Sequence, residues 1–77
     1  MPYIKQDRRN RTLKAENAGE LNWHFSDLCI EYLINKGVSY QTYNDIIGAL
    51  EGCKLELYRE FIADYEDEKK KLNGDII

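Results

Sequence analysis

The stretch YNDIIGALEGCKLELYREFIADYEDEKKKL, residues 43–72, decides the fold of this chain. Its apolar residues recur every three or four positions, which predicts one long helix. One stripe along that helix consists of Ile46, Leu50, Cys53, Leu57 and Phe61. Further apolar residues lie off this stripe, namely Leu55, Tyr58 and Ile62. The helix therefore has more apolar surface than one packing contact uses, and we expect another copy or another molecule to cover the rest.

The short length of the chain also favours oligomerisation. Its 77 residues make one domain. A chain this short buries only about 60% of its unfolded surface, so its own core is marginal. Small folds are usually supported by disulfides, a metal or oligomerisation. Two cysteines and one histidine offer little for the first two, so the sequence predicts a homo-oligomer with no metal and no cofactor.

A first helix is predicted over about residues 18–36. Asn17 is a good N-cap, and Glu20 stands where it would close a capping box. Gly37 suits the positive φ that commonly ends a helix. This helix also has two apolar sides. The first side carries Leu21, Phe25, Leu28 and Tyr32, and the second carries Trp23, Ile30 and Ile34.

The second helix is predicted over about residues 42–72, with Thr42 as its N-cap and Ser39 as the alternative cap. The short connection makes the two helices antiparallel neighbours. The predicted fold is therefore all-α, with a polar basic N-terminal arm at residues 1–16 and a two-helix hairpin at 17–77. The main stripes should pack on each other, and a C2 dimer would close a four-helix bundle.

The second sides of the helices are then the predicted oligomer or partner interface. Two glycines four residues apart join this surface, because they would let another backbone come close. Tolerated drift or a local bend would explain the glycines equally well. The predicted interface residues are Trp23, Ile30, Ile34, Gly48, Gly52, Leu55, Tyr58 and Ile62.

Charge is unevenly distributed along the chain, whose net charge is −3. Residues 1–16 carry five bases and two acids, a net of +3, whereas residues 17–68 carry eleven acids and three bases, a net of −8. A basic arm beside an acidic body could associate head to tail, offer itself to an anion, or remain a solvated terminus. The acidic body disfavours binding to duplex nucleic acid.

A nucleotide or phosphate site is the most specific ligand hypothesis that the residues allow. Guanidinium groups bind phosphate, and aromatic rings stack on bases. The candidate residues are Arg8, Arg9, Arg11, Trp23, Tyr40 and Tyr43. The alternative is that these aromatics serve packing and the interface.

Enzymatic chemistry is not expected. His24 and Cys29 are five residues apart, which points them in different directions on a helix, and three Cys or His residues without matching spacing do not make a zinc site. No phosphate loop, serine nucleophile motif or HExxH is present. No run of apolar residues is long enough to span a membrane, and no export signal is evident, so we expect a cytoplasmic protein with reduced cysteines.

Several blocks of sequence carry a resemblance to a known family. They are MPYIKQ at 1–6, GELN at 19–22, YNDIIGALE at 43–51, KLELYR at 54–59, YEDEK at 65–69 and NGD at 73–75. Together they resemble a family of short uncharacterised proteins found in bacteriophages and bacterial genomes. The arm at residues 7–16 departs from that pattern, being shorter and richer in arginine.

The resemblance implies a phage setting, with the host cytoplasm as the compartment, and carries no functional residue over. Small phage proteins without catalytic motifs often bind host machinery. We therefore expect a non-enzymatic binding protein that inhibits a host defence protein by direct association. The alternatives are an oligomer that sequesters a small nucleotide signal and a structural or assembly accessory protein.

Overall fold

The computed structural model describes residues 4–74, in which all regular structure is helical. A short 3-10 turn at Gln6–Arg8 is followed by α1 (Ala18–Lys36), α2 (Tyr40–Leu57), a π turn (Tyr58–Ile62) and α3 (Ala63–Asn73). Two helices and an N-terminal arm are thus present, as predicted, and α2, the π turn and α3 form the long second helix. Residues 1–3 of the predicted arm and 75–77 of the predicted hairpin lie outside the described residues.

The predicted N-cap of α1 is confirmed. Asn17 is extended at φ −154°, and its Oδ1 accepts the N–H of Glu20 over 2.9 Å. The capping box differs from the expected form, because the Glu20 carboxylate accepts the N–H of Glu16 over 3.1 Å. Gly37 ends the helix at φ +86°, where a side chain would be strained, and its N–H donates to the Leu33 carbonyl over 2.8 Å.

The second helix begins two residues earlier than predicted, and the cap expected at Thr42 is wrong. Ser39 is the cap, since its Oγ accepts the N–H of Thr42 over 3.1 Å and its carbonyl accepts the N–H of Tyr43. The Thr42 hydroxyl lies 3.0 Å from the Ser39 hydroxyl. Because the serine already satisfies the Thr42 N–H, Tyr40 and Gln41 join the first turn of α2.

A hydrogen bond closes the hairpin near its connection. The Tyr32 hydroxyl in α1 donates to Oδ2 of Asp45 in α2 over 2.9 Å, and the Gln41 amide donates to the other carboxylate oxygen over 2.7 Å. These two donors lower the pKa of Asp45, and the same contact raises the pKa of Tyr32. The carboxylate therefore stays ionised while it orders the first turn of α2.

Two compact units divide the chain, one up to Ile46 and the other from Ile47 onward. From Ile47 to Asn73 the second unit is helical. The α-helical hydrogen-bond pattern changes there at the π turn, where the N–H of Ala63 donates to the carbonyl of Tyr58. A π turn spans five residues instead of four, so it adds one residue to the helix. Gly74 ends the run at φ +81°, with its N–H on the Lys70 carbonyl.

No apolar side chain among residues 4–74 is buried, and the two buried residues are Glu20 and Thr42. The residues of both predicted main stripes are exposed, except Ile46, which is half-buried.

The Glu20 carboxylate should make the stability of the fold depend on acid. Its pKa lies at about 2, below its usual value of 4.5. A carboxylate whose pKa is lowered by folding stabilises the folded state at pH values above its usual pKa. This stabilisation is lost as the pH falls through the pKa of the folded state. Between pH 4.5 and 2, thermal melting followed by circular dichroism should show a smaller loss of stability in Glu20→Gln than in the wild type. Glu51→Gln, at an exposed helix position, serves as the control. Superimposable pH profiles for the wild type and Glu20→Gln would contradict the assignment.

Candidate interaction surface

The N-terminal arm is tied to the start of α1 by an arginine clasp. The Arg8 side chain donates to both oxygens of Glu20, from Nε over 3.0 Å and from Nη2 over 2.7 Å. It also reaches the Lys14 carbonyl over 3.2 Å. The hydrogen bond from Arg8, followed by the Glu16 N–H, lowers the pKa of Glu20. The Glu20 carboxylate therefore joins the helix cap to the arm.

A second arginine bridges two turns of α1. Arg11 donates from Nη2 to Asp27 over 3.1 Å and from Nη1 to Glu31 over 3.0 Å. Asp27 and Glu31 are four residues apart, so their carboxylates lie on one face of the helix and match the fork of a guanidinium. Both carboxylates raise the pKa of Arg11, chiefly through the hydrogen bond to Asp27. The clasp at Arg8 and the bridge at Arg11 give the basic arm an acidic partner within its own chain.

The three arginines of the nucleotide hypothesis already bond to groups of this chain. Arg9 donates to the Ile4 carbonyl over 2.9 Å, and the other two arginines hold carboxylates. The Trp23 ring lies edge-on to His24, with centroids 5.2 Å apart. Tyr40 and Tyr43 are exposed. A phosphate at Arg8 or Arg11 would have to compete with carboxylates already in hydrogen-bond contact.

The second side of α1 contributes a small depression beside this bridge. Ile30 and Ile34 are exposed, and they lie next to the ion pairs of Arg11. The depression has a volume of about 180 Å³ and is lined by Arg11, Asp27, Ile30, Glu31, Ile34 and Asn35. An apolar floor with a charged rim is the composition of a protein-binding surface. Of the predicted interface residues on α1, Trp23 is half-buried, while Ile30 and Ile34 are available.

The predicted interface residues on the long helix are also uncovered. Leu55, Tyr58 and Ile62 are each between 44% and 58% exposed. A Cβ added at Gly48 or Gly52 would meet no atom within 4 Å. The close backbone approach predicted for these glycines is therefore not made inside the described chain, and their side of the helix is open.

The remaining candidates for chemistry are the two thiols and the surface acids. Cys29 and Cys53 are free thiols, the first half-buried and the second exposed. Residues 4–74 contain no group of three or more Cys, His, Asp or Glu side chains placed to hold a metal. None of the helices in this part of the chain has the length and hydropathy of a membrane span.

Arg11 gives a direct test of how the arm is held. Arg11→Glu places a third acid beside Asp27 and Glu31, and like charges repel at this spacing. The arm should detach locally, so backbone amides of residues 10–16 should exchange hydrogen at least several times faster by mass spectrometry. Arg9→Glu is the matched control, because Arg9 bonds a carbonyl instead of a carboxylate. Equal protection in both variants would show that the bridge does not order the arm.

Comparison with known proteins places the chain in a family. No curated protein and no solved structure matches it. The model of a domain of unknown function, DUF6899, matches residues 1–76. This match covers almost the whole chain, including the N-terminal arm, both helices and the connection between them. The chain therefore belongs to the DUF6899 family.

Proposed function

We propose that this chain is a non-enzymatic binding protein that self-associates and inhibits another protein by direct contact. One observation carries the proposal. Eighteen large hydrophobic residues are exposed, and none is buried among residues 4–74. A domain that holds its apolar side chains outward needs other protein surface to cover them. Association is thus the activity for which this surface is suited.

The surface chemistry favours a protein partner over a nucleic acid. Residues 17–68 have a net charge of −8, which repels phosphate backbones. The arginines that could offset this charge are already held by Glu20, Asp27 and Glu31. Isoleucines beside the ion pairs of the α1 depression give an apolar contact with a polar rim.

The setting that we propose is a bacteriophage, with the target a host defence protein in the host cytoplasm. The support is the resemblance of the sequence to short phage and bacterial proteins, together with the absence of catalytic motifs from a chain of 77 residues. An inhibitor of this kind needs only a folded surface of sufficient area, and an oligomer of a small helical chain supplies one.

Self-association through the second sides of the helices is tested by charge. In Ile30→Asp with Leu55→Asp, two apolar contacts worth about 1.5–3 kcal/mol each are replaced by acids. Analytical ultracentrifugation should show the wild type as an oligomer, and the dissociation constant of this variant should be at least about ten-fold higher. The control, Asn44→Asp with Lys71→Gln, changes the net charge equally at exposed polar positions. A folded wild-type monomer at micromolar concentration, or a double variant that keeps its mass and stability, would refute the proposal.

The partner is identified by affinity capture from host lysate, with bound small molecules analysed in the same sample. We expect one host protein at a fixed ratio to the bait, and its capture should fall with the Ile30→Asp, Leu55→Asp variant. A thermal-shift series with cyclic and linear nucleotides is run beside it. A nucleotide that stabilises the wild type and loses its effect in Arg8→Ala or Arg11→Ala would instead support sequestration of a nucleotide signal.

A further inference from the structure

We propose that the long helix pairs with the same helix of a second copy, in parallel, along a seam that the π turn keeps straight. The seam is defined by Leu50, Cys53, Leu57, Phe61, Tyr65 and Leu72. The proposal rests on the self-association argued above and adds to it a further contact of defined face and orientation. The seam lies on a different face from Gly48, Gly52 and Leu55, so each copy has two contacts, the seam and the second sides that Ile30→Asp with Leu55→Asp tests.

Helical geometry shows what the π turn does to the apolar residues. Tyr65 follows Leu57 by eight residues, so an uninterrupted α-helix would place them about 80° apart. The extra residue of the π turn rotates everything after it back by about 100°. Tyr65 then lies within about 20° of Leu57, and the same arithmetic puts Leu72 in line with Cys53. The turn therefore joins two short stripes into one.

A hydrogen bond in the structure is an independent sign of this realignment. The Tyr58 hydroxyl donates to the Glu66 carboxylate, across eight residues. Side chains at that spacing diverge by about 80° on a regular α-helix. They meet here because the π turn between them removes the divergence. This contact also raises the pKa of Tyr58.

The exposed area identifies a second copy as the occupant. Leu50, Leu57, Phe61, Tyr65 and Leu72 are each between 41% and 76% exposed. Exposed apolar side chains in one line along a single helix are what a contact between two helices requires. Residues 4–74 bury no apolar side chain, and another copy of the chain is always present in equal amount to cover this line.

Charge beside the seam selects the parallel arrangement. Glu56, Glu60, Asp64 and Glu68 recur every four residues. The π turn also keeps this row straight, about 100° to one side of the seam. The opposite flank is mixed in charge and carries Lys54, Lys70, Glu51 and Glu66, while Lys69 lies close to the seam over the Tyr65 ring. In an antiparallel pair of copies the acid row would face itself, whereas a parallel pair sets the acid row against this mixed flank and its lysines.

Disulfide trapping tests the face and the orientation together. In a parallel pair each seam residue lies beside the same residue of the second copy, within the Cα separation that a disulfide spans. In the Cys29→Ser background, mild oxidation should give covalent dimers through Cys53. Single cysteines at 57 or 72, with Cys29 and Cys53 replaced by Ser, should do the same. A cysteine at Gly48, in that cysteine-free background, should form at least about ten-fold less dimer, because that position faces away from the seam.

Two length variants at one site test the role of the π turn. Deleting Glu60 removes the extra residue and leaves a regular α-helix with the same seam. Inserting Ala after Glu60 instead turns Tyr65 and Leu72 about 100° away. Both variants carry Leu72→Cys as the probe. The deletion should give as much disulfide-linked dimer as the chain of normal length, and the insertion should give about ten-fold less. Trapping through Cys53 should persist in both, which shows that each variant still folds and pairs.

The outcomes separate this inference from the proposed function. A wild-type monomer in solution would overturn both. An oligomer that cross-links at 48 but not at 53, 57 and 72 would overturn the seam and leave self-association standing. Efficient trapping at one seam position alone would indicate an antiparallel pair and overturn the orientation. Loss of the Leu72→Cys cross-link on deleting Glu60 would overturn the role of the π turn.

Discussion

A single helix cannot bury its own side chains, and this constraint governs the whole second unit of the molecule. From Ile47 to Asn73 the chain is one run of helix, so full cover of its apolar groups needs another surface. Hydrophobic burial is the main favourable contribution to folding, at about 25 cal/mol per Å². Residues 4–74 bury no apolar side chain fully, so partial cover of side chains such as Trp23, Leu33 and Ile46 supplies this contribution within the described chain.

Polar contacts fix local geometry where apolar packing is missing. The best-connected group is Glu20, which closes the start of α1 and holds Arg8 and the backbone of the arm. Arg11 repeats this arrangement at Asp27 and Glu31. The more exposed ion pairs of Arg11 contribute little stability, but they help to determine where the arm lies. The arm is thereby positioned against α1, and Arg8 and Arg11 are each paired with carboxylates of that helix.

The helical fold could be predicted from the sequence because its signals are local. Asn17 and Gly37 mark the ends of α1 within one turn of the chain, and the structure confirms both. The start of α2 was harder, since Ser39 and Thr42 are both good caps, and only the hydrogen bonds show that serine acts. The Tyr32–Asp45 contact depends on how the helices cross, which a sequence pattern does not give.

The interface was only partly predictable for the same reason. Periodicity identified Ile30, Ile34 and Leu55 as surplus apolar residues, and they are exposed. It could not show that Arg11 would border the isoleucines, because that contact spans sixteen to twenty residues of sequence. The π turn was missed altogether. The residues Tyr58 to Ile62 have ordinary helix-forming composition, and a regular period of 3.6 was assumed through them.

The absence of a buried apolar side chain from residues 4–74 also has a consequence for when the protein can persist in a cell. If folding and pairing are a single equilibrium, the folded fraction depends on the amount of chain made. Newly made chains at low abundance would be open to proteases, and accumulation past the dimer dissociation constant would protect them. The dimer dissociation constant would then set a threshold concentration. Below it the protein is degraded, and above it the protein persists.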